Sequence, residues 1–290
     1  MHFPVMLPEA VEYLAPRADG IYLDATAGLG GHTGAIAARL ETGFVIANDR
    51  DAESLALARE NTAGVADRVR YHHGPFSRLR EALTEFGVKQ VDGLLADLGV
   101  SRYQLTDGER GFSFMTDAPL DMRMDRSQGA SAYDLVNFTS ERELADLIFN
   151  LGEERRSRRI ARALVRARPI HTTAHLARVV ESAVARTGRL HPATQTFMAL
   201  RMAVNEEQEE LDSFLEQAPG LVKEGGRIVV ISFMSLEDRK VKQSFQALRQ
   251  LGKLNILTRH VVTPTDGEIE ANPPSRSAKL RAVEVLTGEP

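Results

Sequence analysis

Short apolar runs alternate with segments of helical periodicity over the first hundred residues of the chain. The apolar runs, three of which end in an aspartate, cover residues 21–24, 43–49, 68–72 and 91–97. The segments of helical spacing cover residues 33–40, 51–60 and 79–86. A short apolar run bounded by turn residues is typical of a buried strand, and strands that alternate with helices predict a mainly parallel sheet.

This alternation stops at about residue 104 and resumes a hundred residues later. The intervening chain shows no clear buried strand, and its helical patterns cover residues 141–151, 154–167, 173–187 and 192–215. A strand then returns at 225–233, and the later elements are a helix at 236–250 and strands at 254–262 and 280–286. We therefore predict an α/β, Rossmann-like domain formed by residues 1–104 and 205–290. Residues 105–204 are predicted to form an inserted, mostly helical subdomain.

A glycine-rich turn follows the first predicted strand and precedes a helix, which is the nucleotide-binding opening of a doubly wound domain. Its glycines are Gly28, Gly30 and Gly31. A dinucleotide fingerprint requires a third glycine where this chain has Thr33, which disfavours an NAD-dependent oxidoreductase. Asp24, just before the turn, suits a ligand that carries a cation, such as S-adenosylmethionine (AdoMet) with its ammonium and sulfonium groups. The alternative is an ordinary glycine-rich turn.

Asp24, Asp49 and Asp97 each end a predicted strand, so we expect them along one rim of the sheet, where ligands of such folds bind. Asp49 lies 21 residues after Gly28, a separation typical of an acid that binds ribose hydroxyls. Helix capping is the alternative for Asp49 and, with equal weight, for Asp97. Asp97 otherwise stands where amino-group methyltransferases keep an acid or amide beside the acceptor nitrogen. Phe76 either lies against an adenine ring or lines the edge of the core.

The composition restricts the possible classes of function. The 290 residues are 43% hydrophobic and 26% charged, which is ordinary for a globular protein. No apolar run approaches membrane-spanning length, so we expect a cytoplasmic protein with no membrane partner. The absence of cysteine excludes thiolate metal sites and every cysteine-nucleophile mechanism in this sequence, and we predict no metal site. The net charge of -4 argues against unselective coating of nucleic acid but leaves room for a local basic face.

Two further groups of side chains are candidates for substrate binding. Seven arginines with no intervening acid are Arg155, Arg156, Arg158, Arg159, Arg162, Arg166 and Arg168. They favour contact with RNA phosphates, with solvated surface as the alternative. The apolar cluster consists of Phe112, Phe114, Met122 and Met124. It either forms the wall of a pocket for an unstacked base or belongs to the core.

Blocks of sequence along nearly the whole chain resemble the MraW family, also called RsmH. They are residues 28–33, 49–51, 73–76, 97–101, 109–115, 119–125, 152–155, 191–194, 232–239 and 272–281. The stretch 109–125 is far more specific than a lone glycine motif. The resemblance implies an AdoMet-dependent methyltransferase that modifies the N4 amino group of a cytidine in 16S rRNA of the small ribosomal subunit, near the decoding site. It also implies AdoMet contacts from Gly30, Gly31, His32, Asp49, Phe76, Asp97 and Gln104.

The candidate site follows from both lines of argument. Asp97 is the candidate catalytic residue, and Asp24 and Gly28 join the cofactor-binding set. The substrate-binding candidates are Phe112, Phe114, Arg123, Arg158, Arg159 and Arg162. The expected partner is the small subunit, and a homodimer stays open.

The chain departs from the family pattern at two places. Arg102 and Tyr103 stand where the pattern has Ser-Pro, and Met234 replaces a histidine. We expect this histidine not to be essential, because a cytosine N4 amine loses its proton easily once methylated. If the histidine were essential, the alternative would be a non-catalytic RNA-binding or assembly factor with the same fold.

Overall fold

The computed structural model describes residues 4–186, 188 and 190–286. The chain forms two compact units, the first of residues 1–99 and 209–290 and the second of residues 100–208. The boundaries predicted from the sequence lie at 104/105 and 204/205. Among the described residues, each helix is too short or too polar to span a membrane.

The first unit contains a seven-stranded sheet in the order β3-β2-β1-β4-β5-β7-β6. The strands are β1 (Ile21–Asp24), β2 (Phe44–Asp49), β3 (Val69–His73), β4 (Val91–Asp97), β5 (Val222–Ser232), β6 (Leu254–Ile256) and β7 (Lys279–Val285). Strands β1 to β5 pair in parallel, whereas β7 runs antiparallel to both of its neighbours. The strand order reverses between β1 and β4, as in doubly wound folds. The predicted α/β, Rossmann-like sheet is confirmed.

Thirteen α-helices lie within the described residues. They are α1 (Leu7–Leu14), α2 (Gly31–Ala37), α3 (Ala52–Asn61), α4 (Leu79–Glu85), α5 (Arg102–Thr106), α6 (Ala132–Phe138), α7 (Glu141–Gly152), α8 (Ser157–Arg166), α9 (Thr173–Ala183), α10 (Thr194–Val204), α11 (Glu207–Leu221), α12 (Ser235–Gln250) and α13 (Asp266–Ala271). The short helices α5, α6 and α13 were not predicted, because five to seven residues give too little periodicity to detect.

Both faces of the sheet are buried, which explains the continuous apolar runs. Leu94 and Ala96 of β4 pack into one core cluster, which includes Phe214 of α11. Leu95 points to the opposite face and packs into a second cluster with Ile36 of α2. Side chains alternate along a strand, so a strand covered on both sides needs apolar residues at every position.

The second unit is helical and has its own core, to which α8 contributes Ile160, Ala161 and Leu164. The predicted single helix 192–215 is wrong, because α10 ends at Val204 and α11 begins at Glu207. The buried side chain of Asn205 donates to the Met122 carbonyl and accepts from the Met124 amide, each at 2.8 Å. These two bonds stabilise the backbone between α10 and α11.

Two other predicted elements have different bounds. The strand expected at 254–262 ends at Ile256, although the Leu257 amide still donates to the Ala282 carbonyl of β7 and an isolated bridge joins Val262 to Leu280. The helix expected at 173–187 ends at Ala183. Its predicted last residue, Thr187, lies outside the described residues.

Candidate active site

The turn between β1 and α2 requires glycine at two positions. Gly28 and Gly30 have φ of 51° and 86°, in the left-handed region that side chains rarely adopt. A Cβ on Gly30 would also lie 2.9 Å from the Thr62 methyl group and 3.3 Å from the Ala58 Cα. A Cβ on Gly31 would lie 2.9 Å from the Pro4 ring. The backbone of this turn is therefore packed closely against α3, Thr62 and Pro4.

Asp24 shapes this turn from inside the protein. Its carboxylate is fully buried and accepts hydrogen bonds from the Thr33 hydroxyl at 2.6 Å and the Thr26 amide at 3.2 Å. Burial raises the pKa of Asp24 to about 6, and these two donors oppose the rise. With no exposed atom, Asp24 acts on a ligand only through its charge and through the turn that it holds.

Asp49, at the end of β2, connects this strand to the glycine turn. One carboxylate oxygen accepts from the Gly28 amide at 2.7 Å and the other from the Asp51 amide at 2.8 Å. Burial raises its pKa to about 6. The capping interpretation is wrong, because the N-cap of α3 is Asp51, which accepts from the amides of Glu53 and Ser54. Asp49 is partly exposed and so remains available to ribose hydroxyls.

Asp97 ends β4 on the same rim, and its amide donates to the Thr26 hydroxyl at 2.6 Å. Its buried Oδ1 has no hydrogen-bond partner within the described part of the chain, although 21% of the side chain is exposed. Burial, reinforced by the charges of Asp24 and Glu237, raises the pKa of Asp97 well above its usual range. The capping interpretation is wrong here too, because the next helix, α5, is capped by Ser101.

His32 faces Asp97 without bringing a positive charge to it. Its Nε2 lies 3.0 Å from the Val5 carbonyl, which can only accept, so Nε2 carries the proton of the neutral ring. Burial lowers the pKa of His32 to about 4, so the ring is neutral at pH 7. Its unprotonated Nδ1 then lies 3.8 Å from the Asp97 Oδ2. Asp97 thus has a hydrogen-bond acceptor and no cation beside it at His32, which agrees with its raised pKa.

Phe76 follows β3 in a short 3₁₀ turn and is only partly buried. Its ring centroid lies 5.3 Å from that of Phe214, at the edge of the core. The Gln217 side chain donates to the Phe76 carbonyl at 3.2 Å, which fixes the backbone. One part of the ring thus packs on the core, and the exposed part stays a candidate for adenine contact.

Three of the four apolar candidates in the second unit belong to its core. Phe112, Met122 and Met124 are buried there, so the pocket-wall interpretation is wrong for them. Phe114 is partly exposed, with its ring centroid 4.7 Å from His191. Gln104 lies in the same unit, where its Oε1 accepts from the Ser101 amide at 2.9 Å.

The arginine run separates into structural and exposed members. Arg156 binds the buried Glu154, and the Arg168 guanidinium donates to the Val136 carbonyl at 2.7 Å. The exposed members are Arg155, Arg158, Arg159, Arg162 and Arg166. Arg162 also lies 3.4 Å from Glu141. Arg123 is bound through two hydrogen bonds to Asp121, so its guanidinium is less available than the sequence suggested.

Comparison with known proteins places the chain in a family. The family model described as the MraW methylase family matches residues 1–286. The chain belongs to the MraW methylase family. It is 64% identical to a protein of Solibacter usitatus named Ribosomal RNA small subunit methyltransferase H, over 98% of this chain and all of that protein. It is 49% identical to a protein of the same name from Koribacter versatilis, over 97% of this chain and 93% of that protein.

A solved structure of an rRNA methylase from Streptococcus thermophilus aligns over 97% of this chain and 94% of its own, at 11% identity and a TM-score of 0.46. This likeness is too distant to bear on the chemistry.

Two residues on this rim of the sheet were not predicted from the sequence. Thr26 links β1 to the end of β4 through its hydroxyl, and its only signal was its place between Asp24 and the glycines. Glu237 is buried, and its Oε2 accepts from the amides of Phe233 and Met234 at 3.1 Å each. The backbone at Met234 is therefore held by Glu237, whichever side chain stands at position 234.

Among the described residues, no group of histidines and acids could hold a metal ion.

Proposed function

We propose that this protein is an AdoMet-dependent methyltransferase that methylates the N4 amino group of a cytidine in the 16S rRNA of the small ribosomal subunit, near the decoding site. Its membership of a methylase family and the names of its full-length relatives support the reaction and the RNA. The observation that carries the proposal is Asp97, a carboxylate on the sheet rim with a buried oxygen that no described residue binds.

The residues on this rim fit AdoMet, which when bound supplies an electrophilic methyl group on a sulfonium. A Cβ on Gly28 would meet no side chain within 4 Å, so the absence of a side chain there leaves room for a ligand, whereas Gly30 and Gly31 let the turn pack against Thr62 and Pro4. Asp49 is placed to accept hydrogen bonds from ribose hydroxyls, and Phe76 to cover an adenine face. Asp24 is ionised at neutral pH, His32 brings no positive charge, and a bound cation would favour the ionised form of Asp97, so the site suits a cationic ligand.

Asp97 also suits the acceptor. The lone pair of a cytosine N4 amine is delocalised into the ring, which makes the amine a poor nucleophile. A carboxylate that accepts its N–H favours a pyramidal nitrogen with the lone pair free to attack. Catalysis then consists mainly of positioning and electrostatics. Methylation at cytosine C5 would need a cysteine nucleophile, and the sequence contains none.

The second unit, residues 100–208, is proposed to recognise the RNA. The exposed arginines of α8 provide positive charge for phosphates, although the protein as a whole is acidic. Phe114, with its ring partly exposed beside His191, is the remaining candidate for contact with the target base.

A non-catalytic assembly factor is the second candidate, and Met234 is the observation that favours it. Glu237 holds the backbone at position 234 independently of the side chain there, so this case rests on the chemistry of the missing histidine alone. A histidine there would add a proton carrier, which a methylated amine does not require.

The deciding experiment measures transfer of labelled methyl groups from AdoMet to naked 16S rRNA and to assembled small subunits, followed by nucleoside analysis. We expect label in N4-methylcytidine and a far slower single-turnover rate for Asp97→Ala at saturating AdoMet. AdoMet binding without any transfer to either RNA would instead support the assembly factor. Label on another nucleoside would refute the cytosine-N4 assignment.

A further inference from the structure

Two exposed rings, those of Phe138 and His171, flank the partly buried ring of Tyr133 on the second unit. Phe138, the last residue of α6, is 74% exposed. Its ring lies edge-on to Tyr133, with the centroids 6.1 Å apart. Tyr133 in turn stacks on the exposed ring of His171 at 5.4 Å, with an angle of 28° between the planes. We call these three residues the aromatic surface.

The core does not account for the exposure of Phe138. Helix α6 buries Ala132, Val136 and Asn137, whereas Phe138 points to solvent. A large apolar ring left in water gains nothing for folding, so an exposed aromatic cluster indicates an interaction site.

The backbone beneath the aromatic surface is held firmly. The Asn137 side chain donates to the Ile170 carbonyl and accepts from the Ile170 amide, each at 2.8 Å. The Arg168 guanidinium donates to the carbonyls of Val136 and Thr139 at the end of α6. The end of α6 and the segment leading to His171 are thereby joined. Rings presented on a rigid backbone lose little entropy when a ligand stacks on them.

The charges around this surface favour an anionic partner. Arg168 brings a guanidinium to the end of α6, and α8 ends with the exposed Arg166. Of the acids nearest along the chain, Glu141 lies 3.4 Å from Arg162, whereas Asp134 and Glu143 accept hydrogen bonds from serines and keep their charge. The positive charge therefore comes mainly from the exposed arginines of α8, a helix that packs against α6. Exposed rings beside a cationic helix are the combination by which proteins bind single-stranded nucleic acid.

We propose that the aromatic surface stacks an unpaired base of the RNA substrate, with Phe138 as the main contact. This inference rests on the proposed function and adds a point of RNA recognition to it. Stacking on an aromatic ring tolerates any base, so the surface would position the RNA without selecting the target cytidine.

The sequence contains no tryptophan, so Phe138→Trp introduces a single fluorescent reporter. The matched control is Phe149→Trp, at a ring 52% exposed on α7. Each variant is titrated with an oligouridylate of about 10 nucleotides, within the usual length for single-strand sites, and with protein-free 16S rRNA, which contains no tryptophan. We expect saturable quenching at position 138 and little response at 149. Unchanged emission at position 138 with both RNAs at saturation would overturn the proposal.

A second measurement uses Phe138→Ala and Phe149→Ala. Loss of one stacked base should weaken small-subunit binding by about 5- to 150-fold for Phe138→Ala only. The salt dependence should stay unchanged, because no phosphate contact is removed. Wild-type affinity in Phe138→Ala would refute this inference alone, whereas a wild-type protein that binds no rRNA would refute the proposed function. Impaired self-association with normal RNA binding would make the surface a protein interface and overturn the proposal.

Discussion

The protonation of Asp97 leads to a prediction about cofactor affinity and pH. In the free protein its buried Oδ1 has no partner among the described residues, and the neutral His32 offers an unprotonated nitrogen 3.8 Å from Oδ2. The raised pKa means that Asp97 keeps its proton to an unusually high pH. A bound sulfonium would favour the carboxylate, so binding of AdoMet should release this proton.

The sign and size of the effect follow from this linkage. Because the complex holds fewer protons than the free enzyme, AdoMet affinity should rise with pH until Asp97 ionises in the free enzyme. The slope is at most about tenfold per pH unit for one group. A nearby opposite charge lowers a carboxyl pKa by roughly 1 to 3 units, so the total gain is about 10- to 1000-fold. Asp24 and Asp49, with pKa values of about 6, contribute mainly below neutral pH.

The assay compares AdoMet with S-adenosylhomocysteine by calorimetry over the pH range in which the protein stays folded. The two ligands differ in the methyl group and its positive charge. We expect the preference for AdoMet to grow with pH more steeply in the wild type than in Asp97→Asn, in which only Asp24 and Asp49 still titrate. Parallel pH profiles of the two ligands in the wild type would refute the reasoning, as would an unchanged difference in Asp97→Asn.

Three other outcomes are expected. Asp49→Ala should weaken AdoMet binding by about 1.5–3 kcal/mol, the cost of losing a charged hydrogen-bonding partner, without unfolding the protein; unchanged affinity by calorimetry would remove Asp49 from the site. Replacing Arg158, Arg159 and Arg162 with Gln should leave AdoMet affinity intact and weaken small-subunit binding, most at low salt, with the salt slope reduced by about one unit for each lost phosphate contact. A wild-type salt slope would make this face ordinary solvated surface. Asn205→Ala should lower the free energy of unfolding by about 2–4 kcal/mol in urea titrations, because it leaves a buried amide and carbonyl unpaired. The exposed Asn150→Ala is its control, and an equal effect in both variants would contradict the argument.

Local sequence was sufficient for the elements that position the site. The run 91–97 is apolar because Leu94 and Leu95 face two buried sides of the sheet, so the strand is visible without its partners. The glycines at 28 and 30 were equally readable, because their backbone conformation excludes most side chains. The acids that end the strands were expected on one rim of the sheet, because ligands of parallel sheets bind at the carboxyl ends of the strands.

The tertiary structure decided what those acids bind. Asp49 and Asp51 have the same local signature of a helix cap. In the structure Asp51 caps α3, whereas Asp49 accepts from the Gly28 amide in the turn after β1. The sequence likewise left two interpretations of Phe112, a pocket wall or a core position. Only its packing in the second unit assigns it to the core. The break at Asn205 depends on bonds to residues about eighty positions earlier. Such long-range partners leave no periodicity in the sequence, because the spacing of apolar residues records which side of an element is buried and not what lies against it.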